Sequence, residues 1–185
     1  VNGFRCLLPR VRMAGCAFTV KSVAGERGSY DATDFPIGAV IAKMEQGDVL
    51  VVDLGGKQVS HAGGLATTAM KARGVAGMVI DGGCRDIEHI ESIGFPTYSR
   101  HYCATGARSR VKILTINLPV EIADVHVSQG DIIVADATAV AIVPLDLADR
   151  VLAECQKREQ LEARFVSNLQ QGGTFEDSHR ELGIL

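Results

Sequence analysis

The chain has 185 residues, 46% of them hydrophobic and 22% charged, an ordinary globular composition with room for one domain of good size. A net charge of -3 gives no electrostatic case for nucleic acid or an anionic membrane, and 5% aromatics without Trp argue against base-stacking or carbohydrate platforms. The five cysteines are odd in number and none has C-x-x-C spacing, which points to free thiols in a reducing, cytoplasmic setting rather than a disulfide framework or zinc ribbon.

Ala14–Ser22 (AGCAFTVKS) reads as the first strand. Residues 47–53 (GDVLVVD) follow, a short β-branched run that ends at Asp and suits a strand buried on both faces. The loop Ser60-His61-Ala62-Gly63-Gly64 then opens a helix over Leu65–Arg73, which stops before Gly74. Residues 75–81 (VAGMVID) repeat the strand pattern, again ending at Asp. Gly82-Gly83-Cys84 reads as a turn into a short helix over Asp86–Ile93, with Ile87, Ile90 and Ile93 at spacing three. Tyr98–Arg110 is locally basic and reads as a solvated loop. Lys112–Ile116 is a further strand, and residues 130–136 (GDIIVAD) pair with Ala139–Val143 through a turn at Ala137–Thr138. Leu147–Gln171 is a long amphipathic helix with Leu161, Phe165 and Leu169 on one stripe, and residues 172–185 read as a tail.

This order predicts an α/β fold with a partly parallel central sheet and extra strands for a second sheet, in one domain spanning residues 1–185. No apolar run reaches the ~18 residues of a membrane span, and no signal-peptide pattern is recognised. Because the chain begins at Val1 rather than Met, an N-terminal segment is expected to precede it.

Two strand ends carry the chemistry. The Gly63-Gly64-Leu65-Ala66 stretch opens a helix, where unpaired N–H groups and the helix dipole favour a carboxylate or phosphate. It matches neither a phosphate-binding P-loop nor a dinucleotide fingerprint, so a loop shaped for packing is an equally open reading. The second end is Asp81-Gly-Gly-Cys84-Arg85-Asp86, and in α/β sheets such ends face one crevice. On a wheel of about 100° per residue, Asp86 falls within about 40° of Ile90 at the centre of the apolar face, while Glu88 lies nearly opposite. Asp86 therefore points inward or into a cleft, or caps its own helix, with His89 one turn away. Glu88 and Glu91 read as solvated. Arg85 is a ligand-binding group or a surface ion pair, and Cys84 a nucleophile or a small turn residue.

The series GDVLVVD, HAGGLATTAMKARGVAGMVIDGGCRD, GFP, NLPVEI and GDIIVADATAVAIVP resembles the RraA-like family over residues about 10 to 150. That family includes 4-hydroxy-4-methyl-2-oxoglutarate aldolases, which also decarboxylate oxaloacetate, and regulators of ribonuclease E activity. The resemblance implies a three-layer β/β/α swivelling-domain fold and a homotrimer, which in some cases pairs into hexamers. It implies a divalent-metal-dependent lyase in which the backbone of Gly63, Gly64, Leu65 and Ala66 holds the substrate's pyruvate carboxylate. Arg85 would bind the keto-acid oxygens, and Asp86 would hold Mg²⁺ or Mn²⁺. Aldolases of the family carry Asp in place of Gly64, or an acid three residues after Asp86, where this chain has His89. The alternative it implies is a non-catalytic regulator that binds a ribonuclease or helicase. No motif for a methyl-donor nucleotide is present.

Overall fold

The structure is a computed structural model and describes residues 1–183. In chain order the elements are β1 (Arg5–Cys6), β2 (Met13–Ala24), α1 (Ile37–Lys43), β3 (Asp48–Ala62), α2 (Gly64–Ala72), β4 (Gly77–Cys84) and α3 (Ile87–Ser92). They continue with β5 (Thr97–Tyr102), β6 (Val111–Ile116), β7 (Val120–Ile122), β8 (Val125–Val127), β9 (Ile132–Ala135), β10 (Val140–Val143), α4 (Ala148–Gln170) and α5 (Phe175–Leu182). They divide into two compact units, Val1–Leu145 and a second that begins at Asp146.

The first unit is built on an eight-stranded sheet ordered β1-β5-β4-β3-β2-β9-β10, with β6 also paired to β2. The middle of the sheet, β2 through β5, is parallel, and β1, β6, β9 and β10 join antiparallel. The near-continuous apolar runs of β3 and β4 are buried on both faces, as parallel central strands require. Alternate residues divide between two cores. Leu50, Val52, Met78 and Ile80 face the helices, packing with Val40, Met70 and Ile90. Val49, Val51 and Val79 face the other way, against Ile122 and Val127 of the β7–β8 hairpin and Ile133 of β9. The fold is the mixed α/β architecture expected, with its curled, partly parallel sheet between helices and a smaller two-stranded sheet.

Four local readings are corrected. The first half of the Tyr98–Arg110 segment is strand β5, whose Tyr98 and Ser99 are buried, rather than loop. Gly82-Gly83-Cys84 continues β4 instead of turning. Strand β3 runs on to Ala62, nine residues beyond Asp53, by means of register shifts against β4 and positive φ at Gly55 and Gly56. Within the segment read as a tail, Thr174 caps α5 by accepting from Asp177 N–H, and Phe175 meets Phe165 of α4 edge-on with ring centroids 5.0 Å apart.

The two Asp residues that end the strand runs are structural. Asp53 is buried, pairs with Lys21, and accepts from the N–H groups of Gly55 at 3.1 Å and Glu121 at 3.2 Å. Asp81 pairs with Arg100 and accepts from Ala123 N–H at 2.9 Å. Both carboxylates thus fasten the β7–β8 hairpin to the end of the sheet. Replacing Asp53 by Ala strands two N–H groups and a lysine at once, and is expected to cost about 3 kcal/mol of stability. Urea unfolding of wild type and Asp53→Ala checks this.

Candidate functional site

Parallel pairing of β3 with β4 puts Ala62 beside Cys84, so the two strand-to-helix junctions are neighbours. Arg85 N–H donates to Ala62 carbonyl at 3.2 Å. The residues singled out from the sequence, Gly63, Gly64, Leu65, Ala66, Arg85 and Asp86, are brought together here. Gly63, Leu65, Ala66, Arg85 and Asp86 line one open cleft of about 330 Å³, with Phe35, Ile37, His61, Ala107 and Arg108 among the remaining wall.

Asp86 occupies the position before α3 but makes no capping bond to it. Its carboxylate reaches across to α2, where Oδ2 accepts from Gly64 N–H at 2.8 Å. It therefore caps the neighbouring helix, which has only Gly63 at its own cap position. This costs strain, because Asp86 sits in the left-handed region at φ 59°. Oδ1 has no partner among the described residues, and the side chain is 47% exposed. The N–H groups of Leu65 and Ala66 lie in the first turn of α2, which offers them no intrahelical acceptor.

Arg85 Nε lies 3.5 Å from Asp86 Oδ2. Its side chain, half exposed, passes close to two glycines. A Cβ on Gly63 would come within 2.8 Å of Arg85 Nε, and one on Gly106 within 2.8 Å of Nη1. Gly106 reaches this position by bridging to Ser60 of β3. His89 Nε2 is 2.9 Å from Thr68 Oγ1, whose own proton goes to Gly64 carbonyl at 2.8 Å, so the imidazole donates through Nε2. The His89 ring covers Gly64, and a Cβ there would meet it at 3.0 Å. Positions 64 and 89 compete for one space. Glu88 and Glu91 are exposed.

Cys84 is no nucleophile: it is buried, and desolvation pushes its thiol up to about 12. From the sequence, His61 is only part of the loop before α2 and Arg108 part of a solvated basic segment, while Gly106 and Phe35 carry no motif. His61 is 2% exposed, with Nε2 3.0 Å from Ser22 Oγ and its ring edge-on to Phe35 at 4.9 Å. Burial pulls it down to about 3, so it is neutral near pH 7.

A cation fits this arrangement in one manner. No group of three or more His, Cys, Asp or Glu residues capable of holding a metal exists among the described residues. Asp86 is the one carboxylate on the cleft wall, and Oδ1 is its available oxygen. That suits Mg²⁺, which keeps several waters and takes one or two carboxylates plus substrate oxygens, and not a fully protein-caged ion.

Comparison with known proteins agrees with the architecture. A family model described as RraA-like (Aldolase/RraA) matches residues 1–142. A protein of Halalkalibacterium halodurans, provisionally named a 4-hydroxy-4-methyl-2-oxoglutarate aldolase, is 29% identical over 149 residues, covering 80% of this chain and 67% of its own. An uncharacterised Pseudomonas syringae protein superposes with a TM-score of 0.83 at 28% identity, over 96% of this chain and 82% of its own. A Streptomyces coelicolor protein, described as an unusual member of the RNase ES inhibitor RraA family, superposes at 0.76 with 25% identity, over 88% and 80%.

Two outcomes follow from the geometry. Asp86→Gly relieves the left-handed backbone while losing one hydrogen bond, so its stability is expected within about 1 kcal/mol of wild type, with Asp86→Ala about 1 kcal/mol below the Gly variant; chemical denaturation of the three proteins checks the order. His61 binds its proton more readily unfolded than folded, so its contribution is complete above pH 6.5 and is lost as pH falls toward about 3. Unfolding free energy should drop by up to about 1.4 kcal/mol per pH unit below 6.5 on this account, and His61→Phe should flatten that slope by one proton.

Proposed function

The chain belongs to the RraA-like family, and from that premise we propose that it is a divalent-metal-dependent lyase. It cleaves 4-hydroxy-2-oxo acids of the 4-hydroxy-4-methyl-2-oxoglutarate type and decarboxylates oxaloacetate, both through a pyruvate enolate. The observation that carries this reading is the convergence of the α2 N-terminus, Arg85 and Asp86 on one cleft.

In this reading the substrate carboxylate accepts from the Leu65 and Ala66 N–H groups, where the helix dipole adds to the attraction. The Arg85 guanidinium, on the wall of the same cleft, would bind the 2-keto oxygen. Breaking the C3–C4 bond, by loss of CO₂ or, with the 4-hydroxyl proton given up to water in the open cleft, of a carbonyl fragment, leaves an electron pair that the keto group takes up as enolate, and a proton from water at C3 then gives pyruvate. Arg85 brings its positive charge to the wall of the cleft where that negative charge develops. Asp86, which accepts from Gly64 N–H through Oδ2, would hold Mg²⁺ or Mn²⁺. When bound, the cation supplies Lewis-acid polarisation of the keto oxygen. A homotrimer belongs to this reading as what the family resemblance implies, and Asp86 is the sole carboxylate that this chain itself brings to the cleft wall.

The regulator reading draws on the likeness to the Streptomyces coelicolor protein and on Leu65, which is 92% exposed at the cleft. A strained, solvent-facing carboxylate that meets a helix N-terminus is an expense that a protein-docking surface does not require.

Pyruvate release from oxaloacetate and from 4-hydroxy-4-methyl-2-oxoglutarate should require Mg²⁺ or Mn²⁺ and vanish with chelator. Asp86→Ala and Arg85→Lys should each lose about 100-fold or more in kcat/KM. Turnover indifferent to chelator, or an Asp86→Ala protein as active as wild type, rules the reading out.

A further inference from the structure

Arg85 and Asp86 stand on the walls of two clefts, and the proposed reaction uses only one of them. The first holds the α2 N-terminus. The second, of about 430 Å³, is lined by Arg85, Asp86, Ile87, Tyr102, Cys103 and Ala104. The pair is half exposed, 50% for Arg85 and 47% for Asp86, so it presents surface to a ligand in either cleft.

The wall of the second cleft indicates what it would hold. Apart from Arg85 and Asp86 it carries no charged side chain. Ile87 and Tyr102 both pack against the apolar core. Tyr102 ends β5, and the Arg5 guanidinium lies 5.5 Å from its ring centroid, which steadies the ring. The phenol and the Cys103 thiol are uncharged near pH 7, since burial pushes both above their ordinary values. A further anionic group would find no cation on this wall except Arg85, which the 2-keto oxygen uses in the proposed reaction. Apolar surface is the complement of such a wall.

The course of the substrate chain leads from one cleft to the other. In the lyase reading C1 is at the Leu65 and Ala66 N–H groups and C2 is at Arg85. C4 is three bonds from C1, about 4 Å when extended, as successive Cα atoms are. C4 therefore lies beyond C2 at the Arg85–Asp86 pair, with the second cleft open to the group it carries. A methyl would fill little of that space.

We infer that the second cleft receives the substituent on C4 of the bound acid and selects a large apolar one, with Tyr102 and Ala104 as specificity-determining residues. The inference rests on the lyase reading and narrows its substrate class to 4-hydroxy-2-oxo acids that carry an aryl or branched alkyl group on C4. On cleavage C4 leaves as the carbonyl carbon of the apolar fragment. Its hydroxyl proton passes to water, and C3 takes a proton to complete pyruvate.

The test uses two acids without a 4-hydroxyl, 2-oxo-4-phenylbutanoate and 2-oxopentanoate. Neither can undergo the cleavage, and they differ only in a phenyl or a methyl on C4. Calorimetry with Mg²⁺ should find the phenyl acid bound about tenfold more tightly by wild type, from the apolar area it buries. Ala104→Phe fills the cleft from an exposed position and should bring that ratio to about one. A second measurement needs no variant: in wild type, the phenyl protons should show nuclear Overhauser contacts to the Ala104 methyl and the Tyr102 ring. No preference in wild type, a preference kept in Ala104→Phe, or a bound phenyl acid without those contacts each overturns the inference. Binding of neither acid removes the acid-binding reading and this inference with it. Metal-dependent turnover of oxaloacetate without the preference sinks this inference alone, and the preference without turnover sinks the lyase reading alone.

Discussion

The parallel ladder between β3 and β4 is the constraint on which the rest of the first unit depends. From Val49↔Gly77 to Asp53↔Asp81 it is regular, and there it buries the apolar runs on both faces. Beyond Asp53 the chain of β3 loops out and returns, so that Ser60 meets Gly83 and Ala62 meets Cys84. The return is possible because Gly83 has no side chain: a Cβ there would sit 2.7 Å from Val59 carbonyl and 2.5 Å from Cys103 Sγ. A Cβ on Gly82 would strike Leu54 at 2.8 Å. The glycine pair is thus a matter of close approach inside a strand, and a bulkier residue at either place would separate the two junctions.

Once the junctions touch, helix capping becomes an exchange between neighbours. α2 begins with Gly-Gly and brings no side-chain acceptor of its own. Asp86 supplies it from the next strand end, at the cost of a left-handed backbone. The same glycines that deprive α2 of a cap make room for Arg85, since a Cβ on Gly63 would also come within 2.6 Å of Asp86 Oδ2. Fold and site share one set of small residues here. A substitution that improves the helix start would damage the Arg85–Asp86 pair, which is the usual tension between stability and a strained functional centre.

The strand cores and three of the helices were legible because period and composition are local properties. GDVLVVD and VAGMVID need only themselves to be read as buried strands. The continuation of β3 was not legible: Gly55-Gly56-Lys57-Gln58 has no strand pattern, and its pairing depends on glycines about 23 to 25 residues away in sequence, as with Lys57↔Gly82 at one end and Ser60↔Gly83 at the other. β5 hid behind its arginine and histidine, although Arg100 is bound to buried Asp81. The wheel treated Asp86 as part of the helix, but Asp86 precedes α3 in a left-handed conformation, and the wheel could not identify Gly64 N–H as its partner, because that contact spans 22 residues. His61 carried no local signal at all. A single histidine between Ser60 and Ala62 acquires meaning only when Ser22, Phe35 and Arg85 are around it.

The electrostatics of the cleft explain why one carboxylate is a workable number. Arg85, Arg108 and the N-terminal dipole of α2 make the wall cationic, and Asp86 is its only anion. A cation alone would meet that repulsion with one carboxylate oxygen to hold it, and a carboxylate alone would meet Asp86. On the lyase reading, the two together would neutralise each other, with Asp86 as the cation's protein ligand and the helix N–H groups open to the acid's carboxylate. A second acid beside Asp86 would strengthen metal binding without substrate, and the position from which it would come is instead filled by His89, locked over Gly64 by Thr68. Under the proposed lyase reading, cation and acid would bind as a pair, which would tie the assembly of the reactive centre to the arrival of its substrate.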